Sequence, residues 1–421
     1  MVQKLKKFLY FFVASYFRFF ASIKLKIWKP RIVVVTGSSG KTTLLHLIES
    51  QLGSKAKYTH EANSSFGIPF DILGLHRKSL LLYEWPILIF LTPIKIFSKI
   101  PKESLYVVEA DCDRPYEGKF LSKLLKPEIT LWTNVSRTHS VNFENEVTKG
   151  KFKSVDEAIA YEFGYYSQNT KNLVIVGDSS RNLENQLSRV GCAIENISSG
   201  DNKVVHSVTT SGSTFVVNNV KYNFNYLLPK KTSALILMCL SLIKYLNEKF
   251  DVRFSNFKLA PGRSSVFEGI KNTTLVDSSY NANLDSMTEV VEMFARIDAK
   301  EKWVVLGDMI EQGRHEEEEH KKLGGIILRH NFRKIILMGS RVSKYSKPVL
   351  SDKGGDVVSF LGPKEVLNYL TTNIKGGEVI LFKGARFLEG VIEHLLENKD
   401  DIKNLARRER VWQIRRVKWE L

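Results

Sequence analysis

The stretch Val33-Val34-Val35-Thr36-Gly37-Ser38-Ser39-Gly40-Lys41-Thr42-Thr43 decides how this chain is read. Its β-branched run predicts a buried strand. The strand breaks at Gly37, and helical apolar spacing resumes through Leu44, Leu45, Leu47 and Ile48. Glycines at such a junction let successive backbone N–H groups face one point, and the new helix aims its positive end there. Lys41 would then reach the outer phosphates of a nucleotide, and the Thr42 hydroxyl would hold Mg²⁺. Only Ser38 and Ser39 separate the two glycines, fewer than in the common P-loop. Gly37, Ser38, Ser39, Gly40, Lys41, Thr42 and Thr43 are therefore expected to bind ATP or a close relative.

A chain of 421 residues should hold two or three domains. Its 43% hydrophobic and 25% charged content is that of a globular protein and excludes a disordered one. Cys112, Cys192 and Cys239 are far apart and form no metal-type pair, which fits a reducing compartment. The net charge of +17 is unevenly placed: no acid precedes Glu49, while Lys4, Lys6, Lys7, Arg18, Lys24, Lys26, Lys29 and Arg31 do. Arg407-Arg408-Glu409-Arg410 with Arg415, Arg416 and Lys418 is a second basic block. Nucleic acid, anionic lipid and an anionic substrate all suit such charge. The sequence contains no motif that reads RNA or DNA, so no nucleic-acid partner is expected.

Residues 8–17 are apolar on every helical face, and Phe19 and Phe20 extend the run past Arg18. The run is too short to cross a bilayer. Basic flanks and aromatic content suit a helix lying among lipid headgroups, which predicts a peripheral contact through residues 1–28 at the inner face of a membrane. The competing reading is a helix packed on the domain behind it. A second apolar stretch, 80–91, is interrupted by Glu84 and Pro86 and reads as a buried segment or as a patch beside the first.

Further strands are expected at 105–111, 129–135 and 174–178, and alternation with helical stretches predicts an α/β protein with a mostly parallel sheet. Ligands of such sheets bind at the carboxyl ends of the strands, where Glu109, Asn134 and His139 fall. Residues 201–227 alternate as a small antiparallel region, and a helix follows from Ser233. Ala260-Pro261-Gly262-Arg263 reads as a linker before a second α/β unit. The expected organisation is a basic, aromatic helix over 1–29, an ATP-binding domain over 30–262, a Rossmann-like domain over 263–396 and a basic tail over 397–421.

Several segments in order resemble the Mur ligases, the ATP-dependent amide-forming enzymes of peptidoglycan precursor synthesis. They are the 36–43 stretch, Asn63-Ser64-Ser65-Phe66-Gly67-Ile68-Pro69, Thr133-Asn134-Val135 with His139, and Asp277-Ser278-Ser279-Tyr280-Asn281-Ala282-Asn283. Leu306-Gly307-Asp308-Met309 and Phe382-Lys383-Gly384-Ala385-Arg386 follow. The Tyr-Asn-Ala-Asn and Gly-Asp-Met segments resemble the branch that adds D-alanyl-D-alanine. The resemblance implies that ATP activates a carboxylate as an acyl phosphate, which an amine then attacks. It places Lys41 on phosphate, Thr42 and Glu109 on a first Mg²⁺, His139 on a second, and Arg263 on the phosphates. Asp277 and Asn281 join the nucleotide contacts. The implied partners are an anionic cell-wall precursor and an amino acid or dipeptide, and the implied location is cytoplasmic.

The sequence also departs from the family. The stretch 158–163 lacks the lysine that the family modifies to a carbamate, so the second metal either loses a ligand or borrows Glu162. Ser278 replaces the second of two aspartates, and Lys230, Lys231 and Thr232 replace an expected His and Asn. About 30 residues precede the first strand, where the family carries a UDP-sugar-binding domain. Two alternatives follow: another ligase of the superfamily, extending folate or a different polymer, or a degenerate nucleotide-binding assembly factor docked at a membrane.

Overall fold

The β-branched run becomes β1 (Arg31–Thr36), and its neighbours are set by parallel pairing on both sides. The computed structural model describes residues 2–60, 62–78, 81, 83–198, 202–352, 354–384 and 387–421, with side chains from residue 9 onward. Leu80, Leu82, Ala385 and Arg386, and the side chains of Lys4, Lys6 and Lys7, thus lie outside the described residues. The chain divides into two compact units. One comprises 1–201, 234–251 and 255–257; the other comprises 202–233, 252–254 and 258–421.

In the first unit β2 (Ala56–Tyr58), β3 (Leu105–Glu109), β4 (Ile129–Trp132), β5 (Leu173–Val176) and β6 (Ala193–Asn196) join β1 in one parallel sheet, ordered β2-β3-β1-β4-β5-β6. Its helices are α1 (Val2–Trp28), α2 (Lys41–Leu52), α3 (Gly67–Leu73), α4 (Glu84–Lys95), α5 (Glu117–Leu125), α6 (Glu144–Thr148), α7 (Val155–Gln168) and α8 (Arg181–Leu187); α9 (Thr232–Tyr245) joins them from Ala234 onward. Val35 lies opposite Glu109, and Thr36 opposite Trp132. That register brings the carboxyl ends of β1, β3 and β4 to one level, beside the N-terminus of α2.

α1 bears out the packing reading on one of its sides. One side of it is buried: Ala14, Phe17 and Ala21 are fully covered, and the Phe17 ring meets Phe70 at 4.7 Å and Trp85 at 6.1 Å. Lys24, part of the basic block, is also inward; its Nζ donates to Leu73 O (3.3 Å), Lys95 O (3.2 Å) and Ser98 Oγ (2.7 Å). These bonds replace water around a buried cation. The opposite side exposes Phe12 and Phe19. The run is apolar all round because one face packs and the other does not. No helix among the described residues is long and apolar enough to cross a membrane.

The second unit holds a three-stranded antiparallel sheet, β7 (Val204–Thr209), β8 (Gly212–Val217) and β9 (Val220–Phe224), as the alternating pattern predicts. Its larger sheet is ordered β10-β11-β15-β12-β13-β14, from β10 (Ser265–Gly269), β11 (Thr273–Ser278), β12 (Lys302–Gly307), β13 (Lys334–Met338), β14 (Val357–Phe360) and β15 (Val379–Lys383). β10 runs antiparallel and the others are parallel. Around them lie α10 (Leu284–Ala295), α11 (Glu316–Ile327), α12 (Lys347–Ser351), α13 (Pro363–Asn373), α14 (Leu388–Leu395) and α15 (Arg410–Val417). Ser278 pairs with Lys383, and Lys383 with Leu306, so the loops after β11, β12 and β15 leave one sheet edge together. Arginines of the basic tail are held within this unit: Arg407 pairs with Glu389 at 3.2 Å and Arg408 with Glu393 at 2.6 Å.

Candidate functional site

Gly37 and Gly40 hold φ values of +122° and +78°, which side chains rarely adopt. A Cβ on Gly37 would sit 2.3 Å from Thr133 Oγ1, so the turn is closed by the end of β4 as well as by its own dihedrals. Asn134 fixes it further. Its Oδ1 accepts from Ser39 N at 3.0 Å, and its Nδ2 donates to Ser39 Oγ at 2.7 Å. Ser38 N donates to Asn134 O at 3.1 Å, and Ser38 Oγ donates to Ser136 O at 2.8 Å.

Lys41, the first residue of α2, is buried. Its Nζ donates to Gly37 O at 2.6 Å and pairs with Asp111 Oδ2 at 2.8 Å. Burial opposes its charge, but Asp111 and Glu109 outweigh that penalty and raise its pKa. Asp111 mirrors this: burial pushes its carboxyl up, yet Lys41 and then His139 bring it below the ordinary value. Thr42 Oγ1 donates to Glu109 Oε1 at 3.1 Å. A hydroxyl beside a buried carboxylate is the donor chemistry that a hard divalent cation takes.

His139, in the left-handed region at φ +52°, lies 3.2 Å from Asp113 through Nε2. Asp111, Asp113 and His139 bring ligand atoms within 4.8 Å of one another. Burial and then the neighbouring Asp111 push the Asp113 carboxyl up, although His139 opposes the shift. The sequence points to Glu109 and His139 but not to Asp111 and Asp113. The acids clustered after β3 were the available signal. Glu162, the substitute donor, has another occupation. Its two oxygens accept from Tyr116 N (2.8 Å) and Gly118 N (3.1 Å) at the start of α5, and burial raises it to about 6. Glu117 is raised to about 7, by burial and then by Asp113, while accepting from Ser65 N at 2.8 Å and Ser65 Oγ at 2.6 Å. It ties the Asn63–Pro69 loop to the acid cluster.

The second unit gathers its own polar group at the edge shared by β11, β12 and β15. Asp277 is fully buried; its Oδ1 accepts from Ser279 N at 2.9 Å, and its Oδ2 has no hydrogen-bond partner among the described residues. Lys383 donates to Asn281 O, and burial, then Arg263, lowers its pKa to about 7. The Arg263 guanidinium lies 4.9 Å from the Tyr280 ring centre, and Arg407 lies 5.4 Å from it. Asn283 caps α10 by accepting from Ser286 N at 2.8 Å. Lys231, at a position where the sequence departs from expectation, pairs with Glu289 at 2.8 Å. Arg263, Asp277 and Asn281 are thus brought together in one unit, and Lys41, Thr42, Glu109 and His139 in the other.

A short P-loop on a parallel sheet, followed by a second α/β unit with a cationic strand edge, defines a two-unit nucleotide-binding α/β protein. Residues 35–229 match the family profile of the Mur ligase middle domain, and residues 262–386 match that of the Mur ligase, glutamate ligase domain. The chain belongs to the Mur ligase family and is a ligase of that type. The UDP-N-acetylmuramoyl-tripeptide–D-alanyl-D-alanine ligase of Buchnera aphidicola is 23% identical to it over 385 residues, 87% of this chain and 75% of the relative. The Escherichia coli enzyme of the same name is 24% identical, over 87% of this chain and 77% of its own. MurF from Acinetobacter baumannii superimposes with a TM-score of 0.71 at 17% identity, covering 90% of this chain and 79% of its own. The MurF ligase from Thermotoga maritima, solved in complex with ADP, gives 0.68 at 21% identity, covering 96% and 84%.

Proposed function

We propose that the protein is an ATP-dependent carboxylate–amine ligase acting on an anionic peptidoglycan precursor and adding D-alanyl-D-alanine. The observation that carries this reading is Lys41, buried among Gly37 O, Asp111 and Glu109 at the mouth of a glycine turn, with Thr42 bonded to Glu109. The shared name of the curated relatives supports the substrate pair.

In this reading a carboxylate oxygen of the precursor attacks the γ-phosphorus of ATP, and ADP leaves. The amine of the dipeptide then attacks the acyl carbon, losing a proton, and inorganic phosphate leaves with the C–O electron pair. Little covalent help is needed, so the protein's part is placing charge and excluding water. Lys41 and the N–H groups of 37–42 bind the phosphates, and Arg263 keeps the phosphate role that the family resemblance gives it. Asp277 and Asn281 belong to the nucleotide contacts of that unit. Thr42 and Glu109 are oxygen donors that fit one Mg²⁺, and Asp111 and Asp113 with the His139 imidazole nitrogen would hold a second ion, neutralising phosphate charge when bound. Glu162 is not part of the cluster formed by Asp111, Asp113 and His139; its oxygens accept from Tyr116 N and Gly118 N. A cytoplasmic location, with a peripheral contact of residues 1–28 at the inner face of a membrane, is proposed separately from this chemistry.

A panel of acceptors tests it. Release of ADP should require both a UDP-linked muramoyl tripeptide and a D-alanyl-D-alanine dipeptide. Release driven instead by a folate and glutamate would favour the polymer-extending alternative.

A further inference from the structure

α4 buries little of an apolar sequence. Within the helix only Leu88 and Thr92 are buried, while Ile87, Phe90 and Ile94 are 55%, 79% and 67% exposed, and Phe97 beyond its end is 87% exposed. Their spacing puts these four on one stripe of the helix and its continuation. Exposed apolar residues scattered singly are ordinary, but a continuous stripe marks a docking surface. α1 lies alongside, with Tyr16 Oη donating to Ile89 O at 2.9 Å, and adds exposed Phe12 and Phe19.

The rim of this surface is cationic. Lys99 and Lys102 are exposed just past α4. On the other side of α1 a groove of about 690 Å³, which Phe19 also lines, carries Arg18, Lys26, Lys29, Lys123, Lys126 and Lys171. Its one described acid, Glu128, is bound by Arg31 at 2.7 Å. The acid of α4, Glu84, is paired with Arg77 at 3.3 Å.

We propose that the face formed by α4, the outer side of α1 and the adjoining cationic groove docks on an anionic lipid bilayer. Ile87, Phe90, Ile94 and Phe97 enter the headgroup and acyl boundary, and the lysines and Arg18 meet headgroup phosphates. Such a face lies on the membrane, consistent with the absence of a spanning helix among the described residues. A second copy of the chain is the poorer occupant, because a symmetric contact sets one cationic rim against another. The placement also moves the main apolar contact from residues 1–28, whose inward face is core, to α4. It is independent of the ligase reading, since no residue named for nucleotide or substrate takes part.

The test is flotation of the full chain with vesicles of phosphatidylcholine alone and of an equimolar mixture with phosphatidylglycerol, at low and high salt. The wild type should float with the mixed vesicles, salt should weaken this, and plain phosphatidylcholine should recover far less. Phe90→Ser with Phe97→Ser, and separately Lys123→Glu with Lys126→Glu, should each weaken binding by roughly tenfold or more. Both pairs are surface positions, so thermal melting and nucleotide binding should match the wild type, which separates lost docking from lost folding or lost activity. A wild type that stays with the soluble fraction overturns the proposal, as does a Phe90/Phe97 variant that floats equally well. So does a wild-type dimer in sedimentation, lost in that variant, without vesicle binding.

Discussion

Lys41 and Asp111 form a buried pair, and this changes what a substitution at Lys41 should do. Truncating one member of such a pair leaves the other charge buried and uncompensated, which typically costs about 3–5 kcal/mol. Lys41→Ala should therefore lower stability as well as ligation. Lys41→Met with Asp111→Asn should recover most of the stability, while ligation stays down by about a hundredfold or more, since a phosphate-facing charge is gone. Urea unfolding beside ADP release checks both halves. Lys383 yields a pH prediction. Its folded pKa, about 7, lies below the usual 10.5 because of burial. Below about 7 the charged amine is a cost borne by the folded state. As pH rises from there towards 10.5, the folded form loses its proton before the unfolded form, so stability rises. The urea midpoint of the wild type should gain relative to Lys383→Met between neutral and mildly alkaline pH, and parallel curves would contradict the buried cation. The pairings of Asp111 and Asp113 could not be read from the sequence. They depend on β3 and β4 flanking β1, which brings distant residues to one sheet edge.

At the scale of elements, the glycine turn was legible because its requirements are local: a strand end, two positive φ angles and a helix start. Gly37→Ala should cost about 2 kcal/mol or more, because the added carbon meets Thr133 Oγ1 and Asn134 O in a backbone conformation that already disfavours it. Calorimetry with and without nucleotide should show a lower Tm and a loss of ligand-induced stabilisation. α1 was only half legible. Its all-round apolarity does not tell a packed face from an exposed one, and Arg18 reads as a free cation although it lies 4.6 Å over the Phe120 ring. Phe17→Ala should cost about 3–5 kcal/mol, as for other buried aromatics, whereas Phe12→Ser should stay near zero. Urea melts of the two variants would separate the packed side of α1 from the open one.

For the whole molecule, order in the chain carried more than any single motif. The 36–43 loop, the Thr133-Asn134 segment, the Asp277–Asn283 loop and the Phe382-Lys383-Gly384 strand end fall at the carboxyl edges of two sheets, the first two inside the residues matched as middle domain and the last two inside those matched as glutamate ligase domain. The basic charge was easy to count and hard to place. Arg407 and Arg408 are spent on Glu389 and Glu393, and Lys24 on backbone carbonyls, while Lys26, Lys29, Lys123, Lys126 and Lys171 around the α1 groove are exposed. Amide formation at the expense of ATP is the reaction proposed for this protein. Its most direct test is intact-mass analysis of a reaction holding the chain, ATP, Mg²⁺, a UDP-linked muramoyl tripeptide and D-alanyl-D-alanine. The expected outcome is a single product with the mass of acceptor plus dipeptide less one water, and one ADP formed per product. ATP bound but left intact, with both substrates recovered unchanged, would contradict it.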